Sequence, residues 1–180
     1  MEKQPSVKSN PALLKRSVMV MGADVSHPAP ESRGSKPSIA TIVGSVEPKA
    51  ANYQVEVRVQ DGAQNEEVIH DMKNVTKNLL MKFHDENKGR KPEKIVMYRD
   101  GVSEGQFLAV LAAELVAMRQ TCQELEKGYK PEITYIVVQK RHNTRFFPVD
   151  NKYKDGNALA GTVVDQGINL PTEGDFYLLR

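Results

Sequence analysis

The 180-residue sequence contains a single cysteine, Cys122. One thiol closes no internal disulfide and supplies no thiolate metal cluster, so a reducing compartment is expected. Cys122 falls within a helical pattern, where a small buried hydrophobe is the expected role. Long apolar runs are missing too. No stretch approaches the roughly 20 residues of a membrane span, and the polar start, broken by Pro5 and Pro11, has no apolar run of signal-peptide length. A soluble intracellular chain without membrane contact is expected. Charge of one sign is scarce as well: 25 lysines and arginines face 23 aspartates and glutamates. That balance neither demands nor forbids a polyanion, so any electrostatic case must rest on local clusters. Internal repeats and low-complexity segments are absent, which excludes a repeat architecture.

What remains is an α/β pattern. A chain of this length suits one domain, which would bury roughly 70% of its extended surface. Met1–Arg16 reads as a flexible leader. Ser17–Ala23 is nearly all apolar and closes on Asp24, as expected of a strand covered on both faces. Ser26–Lys36, rich in proline, serine and charge, reads as an exposed loop. Ile39–Gly44 is β-branched and apolar. Tyr53–Gln60 alternates, with Tyr53, Val55, Val57 and Val59 on an apolar face and Gln54, Glu56, Arg58 and Gln60 on a polar one. Short connections make these three runs an expected antiparallel meander.

The period then changes. Val68, Met72, Val75, Leu79 and Phe83 predict a helix over Glu66–Glu86, ended by Gly89 and Pro92. Ile95–Tyr98 is a strand that closes on Arg99-Asp100-Gly101. Phe107, Leu111, Leu115, Met118, Cys122 and Leu125 predict a second helix, with Ser103 as its cap. Gly128 and Pro131 stop it, and Ile133–Val138 is another strand. Strands that alternate with helices imply a mixed sheet, the helix-linked strands running parallel through right-handed crossovers. Beyond Gln139 only short apolar pieces remain: Arg145–Phe147, Gly161–Val164 and Phe176–Leu179.

Asp24 and Asp100 each follow an apolar strand, and ligand sites in α/β sheets gather at the carboxyl ends of strands. Side by side they would repel, unless a divalent cation such as magnesium or manganese lay between them. Two such ions can clamp the attacking and leaving oxygens of a phosphodiester. An aspartate after a strand is also a common turn residue, and that reading stands beside the metal one. Glu66 and Glu67 fit the positive end of the helix dipole. Asp61-Gly62 reads as a turn, and Asp165 and Asp175 take turn or structural roles. His27 is read as shaping its loop, with metal or phosphate contact as the alternative. Lys140, Arg141 and Arg145, with His142 among them, form the strongest basic cluster. It suits phosphate contacts that position a strand without reading its sequence, and equally a solvated charge run.

Taken together, the segments Gly22-Ala23-Asp24-Val25-Ser26-His27-Pro28, Lys36-Pro37-Ser38-Ile39-Ala40, Tyr98-Arg99-Asp100-Gly101-Val102-Ser103-Glu104-Gly105-Gln106-Phe107 and Gln139-Lys140-Arg141-His142-Asn143-Thr144-Arg145 resemble the Piwi domain of eukaryotic Argonaute proteins. Gly161–Asp165 and Asp175–Leu178 continue the likeness in order. The resemblance implies a leader over 1–16 and a partial Piwi domain over 17–180, with a ribonuclease H-like mixed sheet and flanking helices, incomplete at the C-terminus. It also implies guide-directed, metal-dependent cleavage of a paired target RNA. By motif, Asp24, Glu67 and Asp100 take the catalytic positions, and Asp24 and Asp100 would ligate Mg2+ or Mn2+. Lys140, Arg141 and Arg145 would contact nucleic acid. Small guide RNA, target RNA and silencing-complex proteins are the implied partners, in the cytoplasm with the nucleus as an alternative.

Three departures qualify the resemblance. The family's late ligand, a histidine or aspartate, falls beyond the position of Arg180, so the expected site is incomplete. Leu170 stands where the family usually has a histidine, and Asn143 where a second histidine is common. A truncated, inactive module that binds nucleic acid or protein is therefore the alternative expectation.

Overall fold

In the computed structural model, residues 16–29, 31, 36–61, 66–149, 156–170 and 174–179 are described. The apolar runs become β1 (Val18–Ser26), β2 (Ser38–Ser45), β3 (Tyr53–Gln60), β4 (Lys94–Asp100) and β5 (Glu132–Val138). The two periodic segments become α1 (Met72–Glu86) and α2 (Phe107–Leu125). Two short strands follow, β6 (Val163–Val164) and β7 (Tyr177–Leu178). The chain divides after Lys140 into two units, the first holding the five-stranded sheet and both helices, the second holding β6 and β7.

The sheet order in the first unit is β3-β2-β1-β4-β5. β1, β2 and β3 form the expected antiparallel meander. β4 lies parallel to both β1 and β5, as helix-linked strands should. Because Met21 is paired with Met97 and Ala23 with Arg99, β1 and β4 run level as far as Arg99; β4 ends at Asp100, and β1 continues past Asp24 to Ser26.

Both helices contribute to the core on one face of this sheet. Met19, Met21, Ala23, Ala40, Ile42, Ile95 and Met97 pack there with Met72, Val75, Leu79 and Phe83 of α1 and Met118 and Cys122 of α2. Burial raises the Cys122 thiol to about 11, which leaves it a protonated apolar group. Gly44 lets α1 approach β2: a Cβ there would lie 2.8 Å from Met19 Cε and 3.2 Å from Leu79 Cδ1.

The opposite face corrects one expectation and completes another. β1 is not covered on both sides, since Val20 and Gly22 are only half-buried and Asp24 is exposed. On β3 the expected alternation holds, and it is the polar face that is covered. Val55, Val57 and Val59 are exposed, the last at 68%, whereas Gln60 is only 6% exposed. The polar residues face the helix side because α1 and its approach supply them with partners. Arg58 Nε donates to Asp71 at 2.6 Å, Asn78 Nδ2 to Glu56 at 3.2 Å, and Gln60 Nε2 to the Val68 carbonyl at 3.0 Å. Period two fixes which residues share a face, and the neighbours decide which face is covered.

Helix starts also shift. α1 begins at Met72, so Glu66–His70 form a non-helical approach and Glu67 does not sit in the first turn. Ser103 precedes a single 3-10 turn, Glu104–Gln106, and makes no side-chain cap; its hydroxyl donates to Gln106 Oε1 at 3.0 Å. The leader expectation, apart from Arg16, and the Asp61-Gly62 turn at Gly62 lie outside the described residues.

Candidate functional site

One residue past the Ala23–Arg99 pair, β1 and β4 each reach an aspartate. Side chains alternate along a strand, so Asp24 and Asp100 share the open face while Ala23 and Arg99 point into the core. The sheet thus brings the two expected carboxylates to one edge. Asp24 Oδ1 accepts the Val25 N–H at 2.9 Å. Asp100 Oδ1 accepts the Gly101 N–H at 2.9 Å, and its Oδ2 meets Lys140 Nζ at 2.7 Å. With Lys140 largely in water, that ion pair adds little stability.

The Glu67 carboxylate comes close to the turn at Gly101. Gly101 has φ +85°, and a Cβ placed on it would lie 3.0 Å from Asp24 Oδ1 and 3.9 Å from Glu67 Oε2. Asp24 and Glu67 therefore border the same small space, which only a glycine leaves clear. Glu67 is firmly held there. Its Oε1 is 3.0 Å from His27 Nε2, whose Nδ1 is 2.9 Å from Ser38 Oγ. Its Oε2 lies 3.4 Å from Arg99 Nη2, which also donates to the Glu67 carbonyl. His27 thus bridges Ser38 at the start of β2 and Glu67.

Beneath this edge lies a layer that motif reading misses. Arg99 and Glu114 are both fully buried, with Arg99 Nε 3.4 Å from Glu114 Oε1. The same Oε1 accepts the Ile69 N–H at 3.0 Å, and Oε2 accepts the Tyr135 hydroxyl at 2.6 Å. Arg99 Nη1 reaches the Asp100 carbonyl. Burial pushes the Glu114 carboxyl above its ordinary range, opposed by Tyr135, Arg99 and the Ile69 amide. Burial likewise raises the Tyr135 phenol, reinforced by the Glu114 charge. The available signal was phase: Glu114 falls four residues after Val110 and four before Met118, both buried on α2.

Asp24, Glu67 and Asp100 supply the oxygen chemistry a hard divalent cation prefers. They do not, however, assemble a site for one. Among the described residues no three acidic, histidine or cysteine side chains are grouped so as to hold a metal ion. Glu67 is engaged by Arg99 and His27, and Asp100 by Lys140. The residues described here therefore do not fit a magnesium site by themselves.

Of the basic cluster, Lys140 closes the first unit, and Arg141 and Arg145 lie exposed in the second. Arg145 Nη1 donates to the carbonyls of His142 and Thr144 at 2.6 and 2.8 Å, which braces its own turn. Tyr177 on β7 organises this unit. Its ring meets His142 and Phe146 edge-on, with centroids 5.3 and 5.2 Å away, and its hydroxyl lies 3.2 Å from Thr144 Oγ1. A pocket of about 540 Å³ opens between Thr144, Arg145, Asn157, Leu159 and Tyr177. Asp175 is structural, as expected: its Oδ1 accepts the Leu170 N–H at 3.2 Å.

A mixed sheet in this order, flanked by helices and carrying an aspartate near the carboxyl end of each of the neighbouring strands β1 and β4, is a ribonuclease H-like fold of the Piwi type. The chain belongs to the Piwi domain family, whose model matches residues 3–180. Among solved structures, the C-terminal lobe of a budding yeast Argonaute is similar at 31% identity and a TM-score of 0.80, over 93% of this chain and 36% of that one. Kluyveromyces polysporus Argonaute, solved with a guide RNA, is similar at 30% identity and a TM-score of 0.78, over 89% of this chain and 19% of that one. Drosophila Piwi matches at 25% identity and a TM-score of 0.71, over 91% of this chain and 21% of that one. The chain thus spans about a third or less of these relatives. No helix among the described residues is long and apolar enough to cross a membrane.

Proposed function

We propose that this chain is the RNA-binding Piwi module of an Argonaute-type silencing protein, holding a small guide RNA paired with its target RNA. The observation that carries this reading is the Piwi match over residues 3–180, supported by an Argonaute relative solved with a guide RNA. Exposed Arg141 and Arg145 suit contacts to phosphate, with Lys140 beside them in sequence. Such contacts hold a duplex in place while base pairing supplies the specificity. Silencing-complex proteins are further partners on this reading. Fluorescence anisotropy with a labelled guide–target duplex at low salt tests it. Binding that weakens on Arg141→Ala and on Arg145→Ala is expected; no binding at low salt rejects the reading.

One observation favours cleavage as a second reading: Asp24 and Asp100 lie near the carboxyl ends of neighbouring parallel strands, and Glu67 borders the same space as Asp24. Binding stands ahead of it because the described residues group no metal-holding set. Cleavage of the duplex that requires Mg2+ or Mn2+ and is lost in Asp24→Ala and in Asp100→Ala would reverse that order. Binding that survives both substitutions, without cleavage, fits the module reading.

A further inference from the structure

Glu114 is a fully buried carboxylate in the middle of α2 that the proposed function leaves without a task. A carboxylate out of water is tolerated only where donors satisfy it, and three converge here: the Ile69 N–H, Arg99 Nε and the Tyr135 hydroxyl. Two of the three lead to Glu67. Ile69 stands two residues further along the same non-helical approach. Arg99 is a rigid planar fork, so fixing its Nε also fixes the direction of Nη2, the atom that meets the Glu67 carbonyl and lies 3.4 Å from Glu67 Oε2. One carboxylate therefore grips the Glu67 segment twice, through its backbone and through its head group.

We propose that Glu114 is the positioning residue for Glu67, holding residues 66–70 so that the Glu67 carboxylate borders the space at Gly101 that Asp24 also borders. The inference rests on the reading of Glu67 as a member of the site. Tyr135 donates to the second Glu114 oxygen at 2.6 Å, while the Ile69 N–H and Arg99 Nε share the first. The buried position suits this task, because water cannot compete for the donors.

The test uses the whole 180-residue chain with nitrogen-15 labelling. His27 Nε2, 3.0 Å from Glu67 Oε1, reports by its ring nitrogen resonances whether Glu67 is in place. Glu67→Ala supplies the reference for its loss. Glu114→Ala is expected to move the His27 resonances to that reference and to speed exchange of the Ile69 amide about tenfold or more, while the amides linking β4 and β5 keep their protection. Glu114→Gln retains an acceptor for Ile69 but not the charge for Arg99. It is expected to preserve the Ile69 protection and still shift His27, and it carries the test if the alanine variant does not fold. His27 resonances unchanged in a folded variant would overturn the proposal. Exchange that rises equally at Ile69 and across β4 and β5 would also overturn it, since Glu114 would then hold the core at large. No RNA or metal enters these readouts, so failure of the reading of Glu67 as a site member shows separately, in the duplex-cleavage experiment.

Discussion

Arg99 and Asp100 are consecutive residues of β4 that occupy different media. The Arg99 side chain is fully buried, whereas that of Asp100 is 32% exposed at the open edge of the sheet. The period of the strand alone separates them. Arg99 belongs to a closed network with Glu114, Tyr135 and the Glu67 segment, in which a missing partner leaves a charge stranded. Asp100 belongs to an edge where water and Lys140 replace whatever is removed. Stability is thus concentrated one residue away from the candidate chemistry.

The largest expected effect breaks the comparison if it fails. Glu114→Ala removes one of the two carboxylates that pair with the buried Arg99 and strips the Ile69 amide and Tyr135 hydroxyl of their acceptor, so it should cost about 3–5 kcal/mol in urea unfolding, while Asp24→Ala should stay within about 0.5 kcal/mol. Equal costs would mean that the two faces are not energetically distinct. Gly101→Ala should cost about 1–2 kcal/mol, because it puts a side chain at positive φ, and its Cβ would crowd Asp24 Oδ1 at 3.0 Å. Thermal unfolding measures that loss, and an unchanged midpoint would show that the turn relaxes freely.

The third effect depends on pH. The folded state raises the Glu114 carboxyl above its ordinary value of 4.5, mainly through burial, so it binds that proton more tightly than the unfolded chain does. The folded form then gains most below the ordinary value, and stability falls as pH rises from there through the folded value. Glu114→Gln should lack that slope. Urea unfolding of both proteins across this window checks it; parallel pH profiles would contradict the assignment.

Much of this arrangement was legible in the sequence because the signals are local. The apolar runs that close on Asp24 and Asp100 became β1 and β4, and the surrounding motifs pointed to the Piwi fold before any contact was known. What stayed hidden is tertiary. The alternation of Tyr53–Gln60 says nothing of which face α1 will cover, and α1 recruits the polar one through Arg58, Glu56 and Gln60. Apolar periodicity extended α1 back to Glu66, but Val68 and Ile69 belong to an approach whose backbone is taken up by Gln60 and Glu114. Glu114 itself reads as a polar interruption in an apolar helix. Its meaning depends on Arg99 and Tyr135, which lie 15 and 21 residues away along the chain.

The central claim, that this chain holds an RNA duplex by its phosphates, is met most directly by the salt dependence of duplex binding. The logarithm of the binding constant should fall linearly with the logarithm of salt concentration, and Arg141→Ala should reduce the slope by about one contact. Binding absent at every salt concentration, or a slope untouched by Arg141→Ala and Arg145→Ala alike, would contradict the account.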